Sequence, residues 1–121
     1  LCPHVQIFAD VHVKHALPLT PMPIEIAARD TLERGLADAL IVSGTGTGVA
    51  TDVKDVERVR AACPHAHIFI GSGIVAETVA EALRCADGVI VGSSLKQDGR
   101  VDQPVDLRRV ARLAKALARK G

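Results

Sequence analysis

Val5-Gln6-Ile7-Phe8-Ala9-Asp10-Val11-His12-Val13-Lys14 is the stretch on which the fold turns. Val5, Ile7, Ala9, Val11 and Val13 alternate with Gln6, Phe8, Asp10, His12 and Lys14, which is the period-two pattern of a strand from Val5 to Val13. In an open, doubly wound sheet a central strand meets helices on both faces, and both faces are apolar. Here one face is aliphatic and the other carries Asp10, His12 and Lys14. That split is expected when one face meets helices and the other lines the mouth of a closed barrel.

Working outward, Pro18, Pro21 and Pro23 enforce a loop, and Ile24 to Arg34 reads as a helix burying Ile24, Ala27, Ala28 and Leu32, with Gly35 as its stop. A second strand, Ala39 to Ser43, runs into Gly44-Thr45-Gly46-Thr47-Gly48. Thr51 or Asp52 can cap the helix that follows, whose stripe is Val53, Val56, Val59 and Cys63. The third strand, His67 to Ile70, leads into Gly71-Ser72-Gly73 and a helix from about Val75 to Arg84, with Val79, Ala82 and Leu83 inward. The fourth, Gly88 to Val91, leads into Gly92-Ser93-Ser94. The last helix, about Asp106 to Arg119, turns Leu107, Val110, Leu113, Ala114 and Leu117 inward.

Four short apolar strands alternating with helices require parallel pairing and crossover connections. The unit also repeats: Ala37-Asp38-Ala39-Leu40-Ile41-Val42-Ser43-Gly44 is echoed by Ala86-Asp87-Gly88-Val89-Ile90-Val91-Gly92-Ser93. Repetition suits a barrel better than an open sheet with one switch point. An eight-unit barrel takes about 250 residues, so four units fit the 121 present. The expected fold is α/β: one segment, residues 1–121, forming the C-terminal half of a (β/α)8 TIM barrel of the phosphate-binding type. Leu1-Cys2-Pro3-His4 has neither an initiating Met nor a signal-peptide pattern, so residues upstream are expected.

The bulk numbers narrow the function classes. Hydrophobic residues at 48% and charged residues at 24% describe a globular domain, and no apolar run reaches the roughly 18 residues of a membrane span. The net charge of +1 gives no global field to recruit nucleic acid. Arg108, Arg109, Arg112, Lys115, Arg119 and Lys120 cluster late and read as a solvated helix face. With no Trp or Tyr, and only Phe8 and Phe69, platforms for stacking single-stranded bases are nearly absent. Cys2, Cys63 and Cys85 lack C-x-x-C spacing and read as reduced thiols of a cytoplasmic protein. Cys63-Pro64-His65-Ala66-His67 could suggest a metal, but it precedes a strand and so faces away from the ligand end of a barrel.

Three constellations can carry chemistry. The loops Gly71-Ser72-Gly73 and Gly92-Ser93-Ser94 follow the last two strands, where phosphate-binding barrels present backbone N–H groups to an anion. Glycine admits close approach there, although the same glycines could simply turn the chain. Asp10, His12 and Lys14 share one strand face, pointing into the lumen. Lys14 can bind an anion or act as a base, His12 can be a general acid–base, and Asp10 can orient it. The alternative is a satisfied polar layer filling the barrel. No cofactor is expected, with a divalent metal on Asp10 and His12 as the alternative. Third, Ser43-Gly44-Thr45-Gly46-Thr47-Gly48 matches neither a Walker loop nor a dinucleotide fingerprint. Its glycines let backbone approach a ligand, and Ser43 and Thr45 supply hydroxyls.

The segments Phe8-Ala9-Asp10-Val11-His12-Val13-Lys14-His15-Ala16, Ala37 to Gly48, Ile70-Gly71-Ser72-Gly73 and Val89 to Lys96 with Asp98-Gly99 together resemble the BtpA family over almost the whole chain. The resemblance implies a (β/α)8 barrel of the ribulose-phosphate-binding class, about half of it present here. The family takes its name from a role in accumulating photosystem I proteins in cyanobacteria, while some members are labelled nucleosidases.

Two functional classes follow. One is a barrel protein binding a small phosphorylated or nucleoside-like metabolite, with hydrolase- or lyase-type acid–base chemistry. Asp10, His12 and Lys14 would then be the catalytic residues. Ser43, Thr45, Gly71, Ser72, Gly73, Gly92, Ser93 and Ser94 would be the phosphate or substrate ligands. The other is a non-catalytic biogenesis or stability factor for a membrane complex such as photosystem I, peripheral to the membrane rather than integral to it. In either case the open strands call for a partner, which is the N-terminal half-barrel or a second chain.

Overall fold

The computed structural model describes residues 2–13, 15–16, 18–44 and 49–118. Its elements are β1 (Phe8–Asp10), α1 (Ile24–Arg29), β2 (Ala39–Val42), α2 (Val53–Ala62), β3 (His67–Ile70), α3 (Val79–Ala82), β4 (Gly88–Val89) and α4 (Leu107–Ala118). The strands form one parallel sheet in the order β1-β2-β3-β4. Four strand–helix units, wound always to the next neighbour, are half of a barrel topology.

Register explains which residues face the helices. Ala9, Leu40 and Ile68 are aligned across three strands, and Val42 and Ile70 across two. Side chains aligned in a parallel sheet share a face. That face meets Val56 and Val59 of α2 and Val79 of α3. Leu40, Val42, Ile68, Val56, Val59 and Val79 are fully buried, each stabilising the fold by about 1.5–3 kcal/mol relative to exposure. Asp52 caps α2, its carboxylate accepting the Lys54 N–H at 2.9 Å. Across the surface, Arg58 of α2 binds Glu25 of α1 through two nitrogens, at 2.6 and 2.9 Å.

The opposite face is the lumen. Asp10, Ile41, Phe69 and Gly88 lie in one row, and the Phe8 and Phe69 rings meet edge to face with centroids 5.1 Å apart. A Cβ on Gly88 would lie 2.3 Å from the Phe69 ring. The fourth strand therefore opens on glycine where the second has Ala39.

Several elements are shorter than the sequence pattern implies. β1 pairs only over Phe8–Asp10, and the chain bends at Val11 and His12. β4 stops at Val89. The helix starting at Ile24 is α-helical to Arg29 and then widens into a π-type turn over Asp30–Arg34, closed by Gly35 N–H on the Asp30 carbonyl. The helix expected from Val75 is reduced to Val79–Ala82, because the Thr78 hydroxyl engages Val75 and holds the entry as a turn. In α4 only Leu113 is buried, whereas Leu107, Val110, Ala114 and Leu117 are exposed. Val5, Ile7 and Val13 are exposed as well. Of the same alternating set, Val11 is buried in the core and Ala9 packs against it. No helix among them is long and apolar enough to cross a membrane.

Candidate functional site

The C-terminal ends of the four strands bring most of the sequence-derived residues to one place. Asp10 ends β1, and its Oδ1 accepts the Ser43 hydroxyl at 3.0 Å. Ser43 follows β2 and lies against Gly71, where a Cβ would come within 2.4 Å of Ser43 Oγ and 2.6 Å of Ile41 Cγ2. Gly71 donates its N–H to the Val42 carbonyl at 2.8 Å and starts the loop after β3. A carboxylate, a hydroxyl and a bare glycine thus form a row across three strand ends.

Beyond Gly71 opens a cavity of about 350 Å³. Its walls are the loops Gly71-Ser72-Gly73 and Gly92-Ser93-Ser94, closed by Ile74, Ile90, Gly99 and Arg109. A Cβ placed on Gly92 would meet nothing within 4 Å, so the backbone there faces open space. Among the described residues, the N–H groups of Gly73, Gly92, Ser93 and Ser94 and the Ser93 hydroxyl have no hydrogen-bond partner. The chain turns tightly at Ser93–Leu95, and Gly73, Gly92, Ser93 and Ser94 all line the cavity. Arg109, in the first turn of α4, supplies positive charge. Its Nη1 donates to the Ser94 carbonyl at 3.3 Å, and its Nε lies 3.9 Å from Asp106 Oδ2.

Two of the loop serines are used internally. Ser72 is buried; its hydroxyl accepts the Gly44 N–H at 2.7 Å and donates to the Val49 carbonyl at 3.0 Å, tying the loop after β2 to the loop after β3. The Thr51 hydroxyl donates to the Ser72 carbonyl at 3.2 Å in the same knot. Ser94 donates its hydroxyl to the Ile74 carbonyl at 2.7 Å, fixing the loop after β4 against the one after β3. Gly73, at φ +72°, has Ala50 Cα where a Cβ would be. The loops are therefore braced by side chains, and their exposed backbone is what remains for a ligand.

Of the first-strand constellation, Asp10 ends the paired strand, and His12 follows at a bend and is exposed. Lys14 and Thr45 lie outside the described residues. No group of three or more His, Cys, Asp or Glu side chains is placed to hold a metal ion among the described residues. Arg109 was hidden within the basic face of the last helix. The signal that could have found it is its position in that helix's first turn, directly after the segment leaving a ligand-end loop.

The sequence pattern of the BtpA family matches residues 1–119. The photosystem I biogenesis protein BtpA of Synechocystis is 42% identical over 114 residues, covering 94% of this chain and 40% of that protein. A protein of Thermococcus kodakarensis, described only as uncharacterized, is 43% identical over 109 residues, covering 90% and 41%. The chain thus spans about two fifths of the length of these relatives. Among solved structures, phosphoribosyl anthranilate isomerase from Thermus thermophilus superposes with a TM-score of 0.65 at 18% identity, over 94% of this chain and 50% of that one. That likeness is one of fold: the four units have the shape of half a barrel.

Proposed function

The chain belongs to the BtpA family, and from that membership and the strand-end pocket we propose that it binds a small phosphorylated or nucleoside-like metabolite. The observation carrying this reading is the cavity between the loops after β3 and β4, with free backbone donors on one wall and Arg109 on the other. Backbone N–H groups and a guanidinium are the donors a phosphate oxygen takes best. Asp10 stands one strand-end row away through Ser43. With the anion anchored, the body of the ligand would extend along that row into the lumen. Asp10 would serve there as the acid–base group, with the Ser43 hydroxyl orienting its carboxylate. The chemistry supported is proton transfer at a carbon or glycosidic centre of a phosphate-anchored substrate, of hydrolase or lyase type. Such a protein would work free in the cytoplasm.

Titration with inorganic phosphate, followed by amide NMR, tests the placement. The Gly73, Gly92, Ser93 and Ser94 resonances should move together and saturate. Shifts confined to other regions, or none at millimolar phosphate, remove the reading.

A second reading rests on the Synechocystis relative, whose name assigns it to photosystem I biogenesis. On that reading the chain acts by protein contact at the membrane surface, and the pocket is incidental. Saturable binding of a metabolite in a thermal-shift screen favours the first reading over the second.

A further inference from the structure

We propose that the strand-end pocket takes a single phosphoryl group, and that Asp106 and Asp98 are the residues that reject a second one. This rests on the reading of the cavity as an anion site. Its volume of about 350 Å³ exceeds what one phosphate ion fills, so size alone does not limit the ligand to one phosphoryl group. Nor does the donor set. Backbone N–H groups and a guanidinium attract a diphosphate, with its greater charge, at least as well as a phosphate. Discrimination has to come from a repulsive element built beside the attractive one.

The carboxylates line the space that a longer anion would enter. Next to the cavity lies a second space of about 390 Å³, lined by Gln97, Asp98, Asp106, Arg108 and Arg109. Arg109 is a wall of both, and Gly99 of the first follows Asp98 of the second in the chain. An anion that reaches past Arg109 therefore meets Asp98 and Asp106. Arg108 is the one other cation lining that space, so the two carboxylates outnumber the positive charge left for a second phosphoryl group. The neighbouring cations are committed elsewhere: Lys96 Nζ donates to the Val101 carbonyl, Arg100 pairs with Asp102, and Arg112 pairs with Glu77. In the other direction, along the strand ends, stands the carboxylate of Asp10.

Backbone bonds fix both carboxylates in place. The Asp106 N–H donates to the Leu95 carbonyl at 2.8 Å, which sets the start of α4 beside the loop after β4. Asp106 Oδ1 accepts the Arg108 N–H at 2.8 Å, and Oδ2 lies 3.9 Å from Arg109 Nε. With Nε facing Asp106 and Nη1 on the Ser94 carbonyl, Arg109 keeps Nη2 for a ligand. One guanidinium nitrogen and the loop N–H groups suit one phosphoryl group. Asp98 sits at φ +53° in a turn closed by the Gly99 N–H on the Lys96 carbonyl and the Arg100 N–H on the Gln97 carbonyl. The ligand class is thus a phosphate monoester with an uncharged body, not a diphosphate ester.

Calorimetric titration with inorganic phosphate and with pyrophosphate, at low salt and without divalent cations, tests this. Pyrophosphate is expected to bind about tenfold more weakly than phosphate, or weaker still. Asp98→Asn combined with Asp106→Asn should narrow the gap to about threefold or less, chiefly by strengthening pyrophosphate. Both replacements suit their positions, because asparagine tolerates positive φ and caps a helix as well as aspartate does. Raising the salt to about 0.5 M should narrow the gap in the parent too, since charges at solvated positions are screened there. Pyrophosphate binding as tightly as phosphate, or a gap unmoved by the double variant, overturns the proposal while leaving the anion site standing. Failure of both anions to bind removes the anion site itself, and this proposal with it.

Discussion

Asp87 and Ile68 close a two-bond ring: the Asp87 N–H donates to the Ile68 carbonyl at 2.8 Å, and Asp87 Oδ2 accepts the Ile68 N–H at 2.8 Å. Asp38 and Ile7 form the same ring at the other copy of the repeat, at 2.8 and 2.7 Å. The echoed Ala-Asp dipeptides of the sequence are thus a device for starting a strand, locking each even-numbered strand to its predecessor. Arg60 adds to the later ring, donating to Asp87 Oδ2 at 2.7 Å and to the Ala66 carbonyl at 2.7 Å.

Removing either carboxylate leaves a strand N–H without its charged acceptor. Asp38→Ala and Asp87→Ala are each expected to cost about 1–2 kcal/mol, at or below the lower end of the range for bonds to charged groups because both sites are solvated. Urea unfolding of the two variants checks this. Equal stability of both variants and the parent would show that the rings are incidental.

The Asp87 ring also predicts a pH dependence. Burial pushes the Asp87 carboxyl up, but the hydrogen bonds from Arg60 and the Ile68 N–H outweigh it and hold the group below its ordinary 3.8. A carboxyl lowered by folding contributes stability above its unfolded value, and loses that contribution as pH falls through the folded value. Stability should therefore decline below about pH 4 less steeply in Asp87→Asn than in the parent. Urea midpoints between pH 2.5 and 7 decide the matter, and parallel curves would count against it.

Glycine positions in the two ligand-end loops should behave oppositely. Gly73→Ala sets a side chain at positive φ against the Ala50 backbone, which cannot yield. A loss of about 2–4 kcal/mol is expected, from strain and overpacking together. Gly92→Ala meets open space and should change stability by less than about 0.5 kcal/mol. Thermal unfolding of the pair measures this contrast, and a tolerated Gly73→Ala would contradict the loop geometry.

The cysteines give an independent check on packing. Cys63 is buried in the core and Cys2 is exposed. Burial raises the Cys63 thiol above its ordinary value of 9.0, so thiolate is scarce as well as hidden. Cys2 should react with a disulfide reagent within seconds to minutes, and Cys63 only as fast as the chain opens. Comparable rates at neutral pH in the native state would show that the α2 end is frayed.

What was legible in the sequence was the pattern set by burial. Val56 and Val59 of α2, Cys63 at its C-terminal cap, and Leu40 and Val42 of β2 occupy the core as their periodicity requires, whereas Val53, first in the α2 stripe, is exposed. Strand order and parallel sense followed from the alternation of units. Periodicity failed where a partner decides the outcome. Val5, Ile7 and Val13 have the alternation of a buried face, yet all three are exposed. The α4 stripe was legible as apolar, yet only Leu113 has found a core. At the site, the loops and the Asp10–Ser43 row could be located from strand ends. The internal duties of Ser72 and Ser94 could not, because those bonds join loops about 20 or more residues apart in sequence.

The last prediction separates anchoring from chemistry at the pocket. Arg109 is the cation on the cavity wall, held by the Ser94 carbonyl, and its first-turn position keeps it there without a ligand. Arg109→Ala should weaken inorganic phosphate binding by about tenfold or more, the equivalent of one charge-assisted hydrogen bond. Asp10 touches Ser43 rather than the loops that hold the anion. Asp10→Asn should therefore leave phosphate affinity within about twofold, while abolishing turnover of any substrate the metabolite screen identifies. Calorimetric titration of both variants with phosphate, alongside turnover assays on the screened ligand, distinguishes the roles. A tenfold loss of phosphate affinity in Asp10→Asn with none in Arg109→Ala would reverse the assignment and move the anion to the β1 end of the row.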